Sequence, residues 1–181
     1  MTRKADLQKE IDRLNEQLAK SGKTRQRRST YFMTINSNET TRNKTERESS
    51  KEYMREIMKY AGDNVGEYIQ FNEPGHNFTK KYVDDVNFRF SLEVSKGRKK
   101  KDGTYSAYSG QVHAHAILDV HHKSNISINH DNLRNLLQPK FNEYYGHDGY
   151  IGPATWIPQH KLEEYLTKSK EFDKGFKWVE V

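Results

Sequence analysis

The stretch that most constrains this chain is Gln111-Val112-His113-Ala114-His115-Ala116-Ile117-Leu118-Asp119-Val120. Val112, Ala114, Ala116, Leu118 and Val120 alternate with His113, His115, Ile117 and Asp119. A two-residue period marks a β-strand with one apolar face, and such a strand needs both neighbouring strands and a layer to cover that face. The same alternation points two imidazoles together from the opposite side. Neutral imidazoles one strand repeat apart can share a divalent ion, and the pair needs a carboxylate to complete a useful site.

Glu93 is the expected carboxylate. In Asn87-Phe88-Arg89-Phe90-Ser91-Leu92-Glu93-Val94, the residues Phe88, Phe90, Leu92 and Val94 share one face, and Arg89, Ser91 and Glu93 the other. The intervening Ser95 to Gly110 is rich in glycine and carries an Asp102-Gly103 turn signal, as a long hairpin tip would. Directly opposed residues of an antiparallel pair share a face with Cβ atoms about 5 Å apart. A register that sets Glu93 opposite His113 or His115 therefore gathers an oxygen and two nitrogens on one side. The bland alternative is a solvated His-x-His pair on an exposed strand.

With 181 residues the chain fits one domain with appendages, and a second full catalytic domain does not fit. Mean hydropathy is only −1.11, yet 11 Tyr, 8 Phe and 2 Trp supply the bulky groups that disordered segments lack. The expectation is a folded core carrying long polar additions. There is no cysteine, which excludes disulfides and cysteine-based zinc or thiol chemistry and leaves His and carboxylates as metal ligands. No apolar run reaches membrane-spanning length and the N-terminus has no signal-peptide core, so a soluble chain with no membrane partner is expected. A net charge of +6 favours a polyanionic partner.

Residues 1–29 read as an N-terminal helix and basic linker, and 30–181 as the main domain. Leu7, Ile11, Leu14 and Leu18 form a short a/d seam, read as a weak homo-oligomerisation helix, as one that docks on this or another domain, or as a frayed solvated helix. Ser21-Gly22 ends it, and Lys23-Thr24-Arg25-Gln26-Arg27-Arg28 is a basic linker that could touch phosphates or serve in nuclear import. Tyr31 to Asn36 reads as the first strand, Ser37 to Lys51 as a mobile polar loop, and about Ser50 to Ala61 as a helix stopped by Gly62. Gly66 to Asn72 suggests a short strand and Glu73 to His76 a turn. Ser127 or Asn129 can cap a helix bearing Leu133, Leu136, Leu137 and Phe141, which Pro139 ends or kinks. Tyr150-Ile151 and Ala154 to Ile157 suggest a strand around a Gly-Pro interruption. Pro158 opens a helix from His160 to Phe172, and Gly175 to Val181 closes the chain as a strand.

On that last helix Tyr165 shares an inward stripe with Leu162, Leu166, Ser169 and Phe172, and Lys168 flanks it. One reading makes Tyr165 a core aromatic. The other makes it a nucleophile, because a tyrosine hydroxyl beside a metal-polarised phosphate can attack phosphorus while a nearby ammonium neutralises charge.

Phe32-Met33-Thr34-Ile35-Asn36, His113-Ala114-His115 and Tyr165-Leu166-Thr167-Lys168, in that order, resemble motifs I, II and III of the HUH endonucleases, nearest to the replication initiators of small circular single-stranded DNA viruses and rolling-circle plasmids. The resemblance spans about Tyr31 to Val181. It implies an α+β fold, an HUH/RRM-like palm with a central antiparallel sheet of about five strands flanked by helices. It further implies sequence-specific nicking and rejoining of a single-stranded origin stem-loop through a covalent 5′-phosphotyrosine, which starts rolling-circle replication. Carried over, Tyr165 is the nucleophile and Lys168 its assistant; Glu93, His113 and His115 hold Mg²⁺ or Mn²⁺; and the Thr34 to Asn36 region contacts DNA through Thr34 and Asn36. Such a protein works in the host nucleus if it serves a eukaryotic virus, and otherwise in the cytoplasm.

A single-stranded substrate needs a basic groove with aromatic platforms, which Arg98, Lys99, Lys100 and Lys101 with Tyr105 and Tyr108 can supply; a solvated lysine-rich turn is the alternative. No P-loop motif is present, so the chain is expected to correspond to the nuclease portion of a longer initiator. The insertions at 37–86 and 95–110 depart from compact family members. A single-tyrosine HUH transposase or relaxase has the same chemistry on another substrate, and a non-catalytic nucleic-acid-binding module is the alternative of a different class.

Overall fold

A computed structural model of the protein describes Arg13, residues 27–72, 78–95, 100–104, 110–158 and Lys161, together with the backbone of 179–180. The chain is α+β. Three long strands form the centre: β1 (Arg27–Thr40), β3 (Val83–Val94) and β4 (Gln111–His122), with the short β2 (Ile69–Phe71) preceding β3. β5 (Ile126–Ile128), β6 (Tyr150–Ile151), β7 (Thr155–Trp156) and β8 (Val179–Glu180) follow. The principal sheet runs β6-β1-β4-β3-β8, with β7 also on β1, while β2 and β5 pair apart. All these pairings are antiparallel. The expected sheet of about five antiparallel strands flanked by helices is thus the architecture adopted.

Two helices cover one side. α1 (Lys44–Asp63) buries Met54, Ile57, Met58 and Ala61, and α2 (His130–Tyr145) buries Leu133, Leu137 and Phe141. They share a core with Met33 and Ile35 of β1, Phe88 and Phe90 of β3, and Val112, Ala114, Ala116, Leu118 and Val120 of β4. The apolar half of the opening motif is therefore the floor of the core. The alanines matter here: a small side chain at the centre of a sheet leaves room for the larger residues of a covering helix.

The polar segment after the first strand is not the loop expected. β1 continues to Thr40, and α1 begins at Lys44. The Asn43 side chain accepts from Glu46 N at 2.9 Å and donates to Glu46 Oε1 at 2.8 Å, while Glu46 Oε2 accepts from Arg42 N at 2.6 Å. This reciprocal cap satisfies amides that would otherwise be orphaned, so a helix can start among polar residues alone. Its first turns face water and need no apolar stripe. Arg27 and Arg28, read as the end of a linker, are the first residues of β1, opposite His122 and His121.

Asn129 caps α2, its side chain accepting from Asn132 N at 3.0 Å. The helix runs through Pro139 to Tyr145 rather than ending there. Gly146 closes it in the left-handed conformation, with φ of 72°. The hairpin tip holds the expected turn: Gly103 N donates to Lys100 O at 3.0 Å, with φ of +83° at Gly103. Lys161 N donates to Pro158 O at 2.9 Å, where the last helix was expected to open. The remainder of that helix, and the N-terminal one apart from the helical Arg13, lie outside the described residues, as does the turn at Glu73 to His76. Among the described residues no helix is long and apolar enough to cross a membrane.

Candidate metal centre

The register of β3 on β4 decides the site. Glu93 stands directly opposite His113, and Ser91 opposite His115. Since His113 and His115 are two residues apart on one strand, all three side chains emerge from the sheet face opposite α1 and α2. His113 Nε2 lies 3.3 Å and His115 Nε2 3.4 Å from the same atom, Glu93 Oε2. The imidazole centroids are 5.0 Å apart and nearly perpendicular, at 86°. One ligand atom from each residue falls within 4.8 Å of the others.

Two imidazole nitrogens and a carboxylate oxygen suit a divalent first-row ion or Mg²⁺. The group fits such an ion in donor type and in convergence. Three protein ligands also leave coordination positions open, which separates a site for chemistry from a closed structural one. Glu93 is 40 % exposed and the two histidines 15 % and 21 %, so a ligand can arrive from solvent on the carboxylate side. Burial pushes the His115 ring below the ordinary histidine value; neighbouring His113 acts in the same direction and Glu93 opposes them. The neutral imidazole, which is the ligating form, is thereby favoured.

The flanking strand β1 completes the surroundings. Thr34 is paired with His115 and Asn36 with His113. Thr34 Oγ1 lies 3.3 Å from His115 Nδ1, and the Phe32 ring stacks on His115 with centroids 5.4 Å apart and planes at 22°. Asn36 is occupied locally: its Oδ1 accepts from Asn38 N at 2.8 Å and shapes the irregularity between Asn36 and Thr40, where Asn38 takes φ of 58°. Ser91 is buried, and its Oγ has no hydrogen-bond partner.

Further along the same face Asp119 is buried in a second polar group. Thr30 Oγ1 donates to Asp119 Oδ1 at 3.0 Å, and the Arg28 guanidinium grips the carboxylate through both Nε and a terminal nitrogen. Burial alone would raise the Asp119 carboxyl, but the hydrogen bonds from Arg28 and Thr30 outweigh it and hold the group below the usual range.

Of the residues singled out in sequence, Glu93, His113, His115, Thr34 and Asn36 come together on one side of β1, β4 and β3. Lys100 and Lys101 are exposed at the hairpin turn, outside the ladder that carries the ligands. Arg98 and Lys99 lie outside the described residues, as do Tyr165 and Lys168. Sequence reasoning missed Phe32 as a partner of His115, Ser91 beneath the site, and Tyr150, which is 55 % exposed and pairs with Asn36. Each could have been found by carrying the two-residue alternation from β4 into its neighbours. No family model, no curated protein and no solved structure matches this chain.

Proposed function

We propose that the protein is a divalent-metal-dependent endonuclease of the HUH kind, which nicks and rejoins single-stranded DNA at an origin stem-loop through a covalent 5′-phosphotyrosine. The observation that carries this reading is the convergence of Glu93, His113 and His115 on the sheet face opposite the two helices, within 4.8 Å of one another. Glu93, His113 and His115 hold the ion and leave room beside it for phosphate oxygens. Mg²⁺ or Mn²⁺, when bound, supplies Lewis-acid polarisation of the scissile phosphate. Tyr165 is the nucleophile: its phenolic oxygen forms the bond to phosphorus as the bond from phosphorus to the 3′-oxygen breaks, the phenolic proton passes to water, and water returns a proton to the departing oxygen as the 3′-hydroxyl. Lys168 neutralises charge on the phosphate. Reverse attack by a 3′-hydroxyl on the phosphotyrosine rejoins or transfers the strand.

Two features support a single-stranded nucleic acid as substrate. The chain carries a net charge of +6, with Lys100 and Lys101 displayed on the hairpin turn. Tyr150, exposed and paired with Asn36, offers a base-stacking surface in the cross-strand row that contains His113.

The test is incubation of the full chain with Mn²⁺ and short single-stranded oligonucleotides bearing origin loops, read on a denaturing gel. A DNA-shifted protein band that disappears with Tyr165→Phe or EDTA is the expected result. Intact oligonucleotide binding without such a band across a broad pool would overturn the nuclease reading in favour of a non-catalytic binding module.

A further inference from the structure

His115 is gripped on the side away from the prospective ion. An imidazole gives its Nε2 lone pair to a metal only when Nδ1 carries the proton, and that N–H then needs an acceptor. The structure supplies one. Thr34 stands opposite His115 in the β1–β4 register and brings Oγ1 to 3.3 Å from Nδ1. On the same ring, Nε2 faces Glu93 Oε2 at 3.4 Å. Phe32, one strand repeat before Thr34, stacks on the imidazole and fixes its plane.

We infer that Thr34 is a positioning residue of the metal centre: its hydroxyl oxygen accepts the Nδ1–H of His115 and so holds Nε2 unprotonated toward the ion. This rests on the metal-centre part of the function proposed above. It also changes the role expected for Thr34, from touching DNA to supporting a ligand.

Threonine suits the task for a physical reason. A β-branched side chain on a strand has few χ1 choices, so its hydroxyl stays where the backbone puts it. That backbone is itself pinned: Thr34 O accepts from Gly152 N at 2.8 Å, and a Cβ on residue 152 would stand 2.7 Å from the same oxygen. The close approach of Gly152 to one edge of β1 and the β4 ladder on the other fix Thr34 between them.

The test is a Mn²⁺ titration of the full chain without DNA, comparing wild type, Thr34→Val and Thr34→Ser. Thr34→Val keeps the shape and loses the acceptor, and its Mn²⁺ affinity is expected to fall about 10-fold, the lower end of what removal of such a supporting group costs. Thr34→Ser restores the acceptor and should bind nearly as wild type does. Nitrogen-15 NMR with saturating Mg²⁺ should show the His115 Nδ1–H protected from exchange with water in wild type and Thr34→Ser, and exchanging faster in Thr34→Val. If Thr34→Val does not fold, Thr34→Ala removes the same hydroxyl and carries the same expectation. Unchanged Mn²⁺ affinity in a folded variant lacking the hydroxyl would overturn the role of Thr34 while leaving the metal centre standing. A wild type that takes up no Mn²⁺ would overturn the centre and this inference together.

Discussion

In the proposed metal centre Glu93, His113 and His115 are a minimal ligand set, so no member can be lost without leaving a pair that binds weakly. Replacing either histidine with Ala should weaken Mn²⁺ binding by at least about 10-fold and lower cleavage in step. Full nicking by His113→Ala or His115→Ala at limiting Mn²⁺ would count against the site. Asp119, on the same face, sets a different expectation. Its carboxyl is depressed in the fold, so the stability it contributes is present above the unfolded value of 3.8 and is lost as pH falls through the lower folded value. Asp119→Asn should therefore cost about 1–2 kcal/mol at neutral pH, and urea melts of the two proteins should converge well below pH 3.8. A gap that persists there would show that the Arg28 and Thr30 bonds are not what stabilises the group. At this scale the ligands were legible, because alternation fixes which side chains share a face. The Arg28–Asp119 pair was not, because its partners are 91 residues apart and only a sheet register joins them.

Elements differed in how plainly their residues announced them. β3 and β4 carry period-two patterns broken only by Ile117, and a hairpin with Glu93 opposite His113 or His115 followed from them; the structure sets it opposite His113. The start of α1 was obscured because its early turns are polar and held by the Asn43–Glu46 cap, a local signal that apolar periodicity does not sense. α2 was foreseen, with Pro139 expected either to end it or to kink it, and the helix does not end there. That residue is exposed, so the carbonyl deprived of its partner can turn to water, and burial of Leu133, Leu137 and Phe141 on the other side holds the helix together. Pro139→Ala should restore a helical hydrogen bond and raise stability by about 1–3 kcal/mol in thermal or urea melts; a loss of stability would mean that the ring packs to advantage. Gly152 behaves oppositely. Its nearest neighbour is backbone, which cannot swing aside, so Gly152→Ala should cost about 1–3 kcal/mol and loosen the edge strands on β1. A melt identical to wild type would show that the edge yields.

For the molecule as a whole, a net charge of +6 with Lys100 and Lys101 exposed on the hairpin turn predicts salt-sensitive binding of single strands. Log affinity for an oligonucleotide should fall with log salt, and replacing Lys100 and Lys101 together by Ala should reduce that slope by about 0.7 for each phosphate no longer neutralised; an unchanged slope would mean that other cations hold the strand. β4 is bordered along its length by β1 on one side and β3 on the other, and both imidazoles ride on it. Amides in a strand bonded on both sides can exchange with solvent only when the sheet itself opens. Deuterium should therefore enter His113 and His115 among the slowest positions of the chain, and more slowly still with saturating Mg²⁺ if the ion is held by the closed sheet. On the proposed function an ion could leave and return without remaking its site, because Glu93, His113 and His115 wait on the part of the protein least able to forget its shape.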